Sequence, residues 1–358
     1  MAAIKQITRE AIAKILDWNS VISAVEEAMV NVSERRAVQN LRSITAIPKT
    51  DNILFAMPGY LNTDKSTALG CKLVTLFPNN AQRNLPSILA NILLFNENTG
   101  VLEVIMDGTE ITAWRTAAAS VAATKYMRDV NSQYKTLAIV GAGTQAKIHA
   151  IAFQHQFKFV KVSYNIIWDF ITLASNSCSS SSSGDEELVI NMVPISTNST
   201  RKNKRHAGDI VPNYSEEVHI WNRTYKKGEI LCEELHRQSK IQGTTKEYTP
   251  FQNLEECIKD ADVIITTTSS PIPLVQYKWL KPGVHINAVG VGEAVMELDE
   301  ETYKSSVVFI DHLAGVEHEL RHLAEKGVVF QGEIGSIING TTPRPSSGQI
   351  TIFQSLGT

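Results

Sequence analysis

The residue types in this chain that could do chemistry are three cations in unexpected places and one glycine turn. Arg42 (QNLRSITAI) and Lys72 (LGCKLVTLF) interrupt β-rich runs, and Arg115 (ITAWRTAAAS) stands where a small-residue helix begins. Arginine offers a carboxylate a planar fork and lysine a compact donor, so the three could build an anion-binding surface. A cation in the first turn opposes the helix dipole, so helix stability does not account for Arg115. The free N–H groups and the guanidinium would both favour an anion at that spot. For Arg42 and Lys72 the pattern equally admits solvated side chains on an open sheet face.

The glycine turn lies in YKTLAIVGAGTQAKIH, residues 134–149. An apolar run (Leu137, Ile139, Val140) leads into Gly141, Gly143 and Ala146 in G-x-G-x-x-A spacing, and a helix-competent segment follows. Strand, tight turn, helix start is the context that the dinucleotide fingerprint requires. Gly141 would allow the sharp turn, Gly143 would let the backbone approach a pyrophosphate, and Ala146 would let helix and strand pack closely. The pyrophosphate would rest on free N–H groups at the helix N-terminus. An ordinary strand–turn–helix corner is the plainer reading of the same residues.

These groups need a scaffold. Apolar residues recur at helical spacing over residues 8–37, predicting two amphipathic helices with Asn19 or Ser20 capping the second. Residues 42–48, 53–58, 70–77, 88–95 and 103–106 read as strands of an antiparallel or mixed sheet. Asp107-Gly108 then marks a turn, and Thr109 or Thr112 would cap the Ala-rich helix that carries Arg115. Beyond the glycine turn, a strand at 218–221 ends in Asn222-Arg223-Thr224, with Lys226 and Lys227 close behind. NAD-binding proteins carry an acidic residue at the end of that strand; basic residues there favour a 2′-phosphate, hence NADPH over NADH. A helix at 254–258, strands at 261–267, 283–289 and 307–310, one or two helices within 316–338 and a strand at 350–356 complete a βα alternation. That alternation predicts a doubly wound parallel sheet of the Rossmann kind, with ligands at the carboxyl ends of its strands, where Thr268 and Val289 fall.

One stretch breaks the alternation. Residues 160–215 hold a serine run (179–183), an acidic trio (185–187) and a basic cluster (Arg201, Lys202, Lys204, Arg205) without periodicity. Structureless loops of that length are uncommon inside a compact domain. Removing the stretch would restore a short αβ connection, and Lys161-Val162-Ser163 is what a read-through splice donor would encode. It is expected to be an unstructured insertion without function.

The totals exclude several classes. A net charge of -3 and pI near 6.3 give no basic field for nucleic acid. Cys71, Cys178, Cys232 and Cys257 show no metal-ligand spacing and fit a reducing compartment. No run reaches membrane-spanning length and the N-terminus lacks a signal-peptide core, so the chain reads as cytoplasmic.

Taken together, Arg42, Lys72, ITAWRTAAAS, IVGAGTQA, HIWNRT, ADVIITTT, HINAVG and ITIFQSLG resemble the ornithine cyclodeaminase/mu-crystallin family, in its ketimine-reducing branch. The resemblance implies a homodimer of two-domain chains. Residues 1–118 with 312–358 would form an α+β substrate-binding and dimerisation domain, and 119–311 an NADP-binding Rossmann domain. It also implies a carboxylate clamp of Arg42, Lys72 and Arg115, with Lys72 placed to polarise or protonate a C=N group. Ala142, Thr144, Gln145, Asn222, Arg223, Thr224, Thr268, Val289, Ser87 and Ser355 would contact NADPH, and Glu333 would line the ligand pocket. The implied reaction is NADPH-dependent reduction of cyclic ketimines such as Δ1-piperideine-2-carboxylate. Two alternatives stay open. One is an NAD-using ornithine cyclodeaminase or alanine-dehydrogenase-like enzyme. The other is a non-catalytic protein binding NADPH and a thyroid-hormone-like ligand. Cyclodeaminases carry an aspartate after the INAVG strand, and here the run is Gly290-Val291-Gly292-Glu293-Ala294, which counts against cyclodeamination. Family members also continue past SLG into a long helix.

Overall fold

The computed structural model describes residues 3–63, 66–128, 136–157, 161–166, 216–222, 225–241, 246–268, 270–292 and 295–357. The chain opens with β1 (Lys5–Ile7), α1 (Arg9–Ala13) and α2 (Trp18–Ser33). The two predicted helices are present, but Asp17 caps the second: its carboxylate accepts from Ser20 N at 3.0 Å, two residues before Asn19 and three before Ser20, the expected caps. Six strands follow: β2 (Ala37–Gln39), β3 (Ser43–Ala46), β4 (Ile53–Asn62), β5 (Thr67–Leu76), β6 (Ile88–Phe95) and β7 (Leu102–Asp107). With β1 they form a seven-stranded sheet ordered β1-β7-β6-β5-β4-β2, with β3 beside β4; only the β1–β7 pair is parallel.

Helix α3 (Thr109–Met127) joins this sheet to the second one. Ala117, Ala118, Ala122 and Ala123 are fully buried, and side chains this small let α2 and α4 (Thr144–Gln156) approach its backbone from different sides. The helix begins after Gly108, which has no side-chain cap. Arg115 therefore sits in the second turn rather than the first, beyond the free N–H groups that the sequence reading invoked.

The second sheet holds β8 (Thr136–Val140), β9 (Lys161–Ile166), β10 (Glu216–Asn222), β11 (Lys246–Phe251), β12 (Val263–Thr266), β13 (His285–Ala288), β14 (Val307–Ile310), β15 (Phe330–Glu333) and β16 (Thr351–Gln354). Its order is β11-β10-β9-β8-β12-β13-β16-β14-β15, and every pairing is parallel. The remaining helices are α5 (Tyr225–Ile241), α6 (Leu254–Ile258), α7 (Glu300–Lys304), α8 (Val316–Glu319), α9 (Arg321–Glu325) and α10 (Gly335–Ile338). Both faces are covered. Leu137 and Ile139 of β8 join the core under α4, α5 and α2, whereas Ala138 and Val140 join the opposite core with Ile258 and Tyr303. A strand buried on both faces must be apolar throughout, and for that reason TLAIV reads as a continuous run.

Three expectations are corrected here. Residues 161–166, assigned to the unstructured insertion, form β9, which occupies the place beside β8; residues 167–215 lie outside the described set. Residues 316–338, read as helix only, contain strand β15, bent by a register shift at Val308/Phe309 and by Gly332 at φ +156. The segment 312–358, assigned with the N-terminal domain, contributes β15 and β16 to the nine-stranded sheet. Among the described residues, no helix is long and apolar enough to cross a membrane, and no group of three or more metal-ligating side chains occurs.

Candidate active site

Lys72 lies near the middle of β5, flanked by Met57 on β4 and Ile92 on β6. Arg42 immediately precedes β3, and Arg115 comes from α3. The fold brings the three together. A methyl group at Gly357 would stand 3.4 and 3.6 Å from the two terminal nitrogens of Arg115 and 3.7 Å from Nη2 of Arg42. Burial pushes the Lys72 ammonium down to about 6, and the charges of Arg115 and Arg42 add to the fall. Burial likewise lowers Arg115 to about 10, opposed by the Asp311 carboxylate. Neither Lys72 nor Arg115 is a solvated surface residue. The open-face reading of Lys72 is set aside.

Two acids frame the cations, and the sequence reading did not single out either for a role. Glu319, the last residue of α8, accepts from Arg42 Nη2 at 2.9 Å. Its carboxyl is pushed up by burial, against the pull of Arg42. Asp311, at the end of β14, accepts from Leu356 N at 2.9 Å and from Gly357 N at 3.1 Å. That contact fixes the turn after β16, and Arg42 Nη2 also donates to the Leu356 carbonyl. Trp114, beside Arg115, stacks on Trp18 with ring centroids 4.0 Å apart, which ties α3 to α2. The pairs Arg42–Glu319 and Trp18–Trp114 join segments far apart in the chain, so no local pattern announces them.

The dinucleotide candidates fall at the carboxyl ends of four neighbouring strands, β8, β12, β13 and β16. Gly141 has φ +129, and a Cβ there would meet Thr267 Oγ1 at 2.4 Å, so only glycine fits the turn. Ala142 follows it. Gly143 is the N-cap of α4 and has no side-chain cap; a Cβ at Gly143 would meet no protein atom within 4 Å. Thr144 is exposed at the first turn, Ala146 is fully buried, and Gln145 has a buried Oε1 with no hydrogen-bond partner among the described residues. An open N-cap beside an unpartnered amide oxygen fits a bound dinucleotide. Across the strand ends, Val289 N donates to Thr266 O at 3.0 Å and Ser355 N to Ala288 O at 2.9 Å. Thr268 Oγ1 donates to Glu297 at 2.7 Å.

Glu297 is an acid that the sequence did not single out. It is buried at 2% exposure and accepts from Thr266 Oγ1 (2.6 Å), from Thr268 N and Oγ1, and from Gly290 N (2.8 Å). Burial raises its pKa, and these donors oppose the rise. It clamps the ends of β12 and β13 at the place where Thr268 and Val289 would meet a cofactor.

Asn222, Ser87 and Glu333 stand apart. Asn222 ends β10, one strand beyond β9, so it is not beside the glycine turn as a second Rossmann strand would place it; Arg223 and Thr224 lie outside the described residues, as does Glu293. Ser87 precedes β6, where its carbonyl accepts from Phe77 N at 2.8 Å. The Glu333 carboxylate accepts from Arg35 Nη1 at 3.0 Å and from Leu313 N at 3.0 Å, tying the end of β15 to the chain after α2.

The model of the ornithine cyclodeaminase/mu-crystallin family matches residues 4–200 and 210–358. The chain belongs to this family. Among family members, it is 29% identical to the ketimine reductase mu-crystallin of Rattus norvegicus over 94% of this chain and 87% of that one. It is 25% identical to a Δ1-pyrroline-2-carboxylate reductase of Bacillus cereus over 96% and 89% of the two chains. The solved structure of Thermococcus litoralis Δ1-pyrroline-2-carboxylate reductase, in complex with NADH and L-proline, superposes with a TM-score of 0.75 at 27% identity. That match covers 98% of this chain and 92% of the other.

Proposed function

We propose that the chain is an NADPH-dependent reductase of cyclic ketimines that carry a carboxylate next to the imine, such as Δ1-piperideine-2-carboxylate. One observation carries the reading. The turn after β16 brings a cofactor candidate, Ser355, within two residues of Gly357, which packs against Arg115 and Arg42. Hydride donor and carboxylate clamp would thus meet at one strand end. Relatives that reduce ketimines and pyrroline carboxylates support the class of substrate.

A bound reduced nicotinamide would supply hydride to the imine carbon. The chain's own residues do the rest. Arg42 and Arg115 hold the carboxylate, which fixes the ring and supplies proximity. Lys72 holds a proton for the imine nitrogen. With its pKa lowered to about 6, Lys72 is mostly the neutral amine in the empty site at neutral pH. An arriving carboxylate offsets the charges of Arg42 and Arg115, raises the Lys72 pKa and loads the proton when the substrate is present. Gly141, Ala142, Gly143, Thr144, Gln145 and Ala146 would hold the pyrophosphate, and Thr268, Val289 and Ser355 would hold the nicotinamide end. The preference for NADPH is carried from the sequence alone, on Asn222, Arg223, Thr224, Lys226 and Lys227; β10 does not adjoin β8, so the paired NADPH and NADH assay decides it.

We also assign the exposed apolar residues of the seven-stranded sheet, among them Val38, Ile44 and Leu54, to contact with a second copy. Light scattering checks the dimer. Consumption of NADPH and of NADH with Δ1-piperideine-2-carboxylate, formation of NADH from NAD+ with L-alanine, and release of ammonia from L-ornithine with NAD+, run in parallel, test the function. Turnover of the ketimine with NADPH preferred supports the proposal. Tight NADPH binding without turnover would favour the binding-protein alternative.

A further inference from the structure

Helix α3 is keyed to its neighbours by polar side chains buried from solvent. Ser120 Oγ and His149 Nε2 lie 3.0 Å apart, and the other ring nitrogen, Nδ1, lies 2.7 Å from the Gln145 carbonyl. Ser120 and His149 are both fully buried. A carbonyl only accepts, so Nδ1 carries the hydrogen and donates. Burial lowers the imidazole to about 4, against the support of that carbonyl, so the ring is neutral at neutral pH and Nε2 is bare. Ser120 is therefore the donor to Nε2. One turn further along α3, Thr124 Oγ1 donates to the Ser120 carbonyl at 2.9 Å and accepts from Asn287 Nδ2 of β13, also at 2.9 Å. The serine thus stands on a part of α3 that is fastened to the nine-stranded sheet.

The Gln145 carbonyl belongs to the same peptide unit as the N–H of Ala146. Ala146 is the third residue of α4, within the first turn, where N–H groups have no intrahelical acceptor and are free for an anion. A donor on the carbonyl end of a peptide unit fixes its plane and polarises its N–H end. We infer that His149, held by Ser120, is a positioning residue that fixes and polarises the Gln145–Ala146 peptide, so that its N–H is set to donate to the cofactor pyrophosphate. The inference rests on the proposed pyrophosphate reading of this turn. His149 is fully buried and touches no cofactor itself; it acts through the peptide one helical turn before it. Helix α3 also carries Arg115, so the Ser120–His149 bond joins the two halves of the proposed site.

The test uses the full chain with His149→Asn, His149→Leu and Ser120→Ala, and with Gly143→Ala alone and combined with His149→Leu. Asparagine Nδ2 takes the place of imidazole Nδ1 and keeps a donor for the Gln145 carbonyl; leucine fills a similar buried volume and has none. Calorimetry gives NADPH affinity and urea unfolding gives stability. Losing the ring's bond should weaken NADPH about fivefold in His149→Leu. His149→Asn should stay within about twofold of the native chain, although the cavity beside asparagine makes it the less stable of the two. Ser120→Ala keeps the ring without its anchor and should weaken NADPH about threefold. An affinity order opposite to the stability order is not what a purely structural role produces. In the Gly143→Ala background, where the pyrophosphate contact is already broken, His149→Leu should cost less than about twofold more. Native NADPH affinity in both His149→Leu and Ser120→Ala overturns the inference. So does a loss in His149→Asn equal to that in His149→Leu, or a full fivefold further loss in the double variant. If Gly143→Ala itself binds NADPH as the native chain does, the pyrophosphate reading is at fault, and the inference falls with it.

Discussion

Replacing Arg115 by methionine should move the alkaline limb of the pH profile upward. Lys72 is needed protonated, so kcat/KM, which reports the free enzyme, is constant below the folded-state pKa and falls as pH rises through it. That pKa lies at about 6, lowered first by burial, then by Arg115 and then by Arg42. Arg115 is the larger of the two charge contributions. A neighbouring unit charge at an effective dielectric of about 20 acts at roughly 2 kcal/mol. At about 1.4 kcal/mol per unit, that corresponds to a shift of about 1.5 units. Arg115→Met keeps an apolar filler of similar length in a buried site, removes the repulsion and leaves Asp311 nearby. The limb should therefore move from about 6 to above about 7. The assay is NADPH consumption against pH at low substrate, for the native chain and the variant. Titration of the substrate imine is common to both and cancels in the difference. kcat/KM itself should fall, because a carboxylate contact is lost, but the limb position does not depend on that fall. An unmoved limb, or one displaced downward, would refute the assignment of Lys72 as the proton donor under the field of Arg115.

Other consequences are simpler to read. Gly143→Ala introduces a methyl into open space, so the melting temperature should stay within about 2 °C while NADPH affinity falls about tenfold or more. Gly141→Ala should instead destabilise the fold by about 2 kcal/mol or more in urea unfolding, since its Cβ would overlap Thr267 and its φ of +129 is strained for alanine. Equal effects of the two substitutions would contradict the pyrophosphate reading. Glu297→Ala orphans two threonine hydroxyls and two backbone N–H groups; a loss of about 3 kcal/mol or more of stability is expected, with weaker NADPH binding.

What the sequence could declare was whatever local physics decides. The β8 run is buried on both faces and therefore apolar at every position, and the glycine spacing that follows obeys a steric need visible at Gly141. Strands β6 and β14 and helix α6 fall on the residues that periodicity assigned to them. The misses arise where distant partners decide. The threonines at 109 and 112 place Arg115 in the first turn by their capping tendency, whereas the helix begins after Gly108, which offers no side-chain cap. Strand β15 was hidden because its pairing with β14 needs a bulge that no local alternation encodes. Strand β9 was hidden because its partners β8 and β10 supply the ladder that its own composition does not announce. Glu319 and Glu297 look like surface acids in their own segments. Arg42, 277 residues from Glu319, and Thr266, 31 residues from Glu297, are among the partners that give them a buried purpose. The three cations were legible as oddities, and the fold supplied their convergence.

The most direct test of the account is the ratio of kcat/KM for Δ1-piperideine-2-carboxylate to that for Δ1-piperideine, the same ring without the carboxylate. Each charge-assisted hydrogen bond contributes about 1.5–3 kcal/mol, so a two-arginine clamp predicts a ratio of roughly a hundred to ten thousand. That ratio should collapse toward one in an Arg42→Met, Arg115→Met double variant. Equal turnover of the two imines by the native chain would contradict the claim that these guanidiniums hold the substrate.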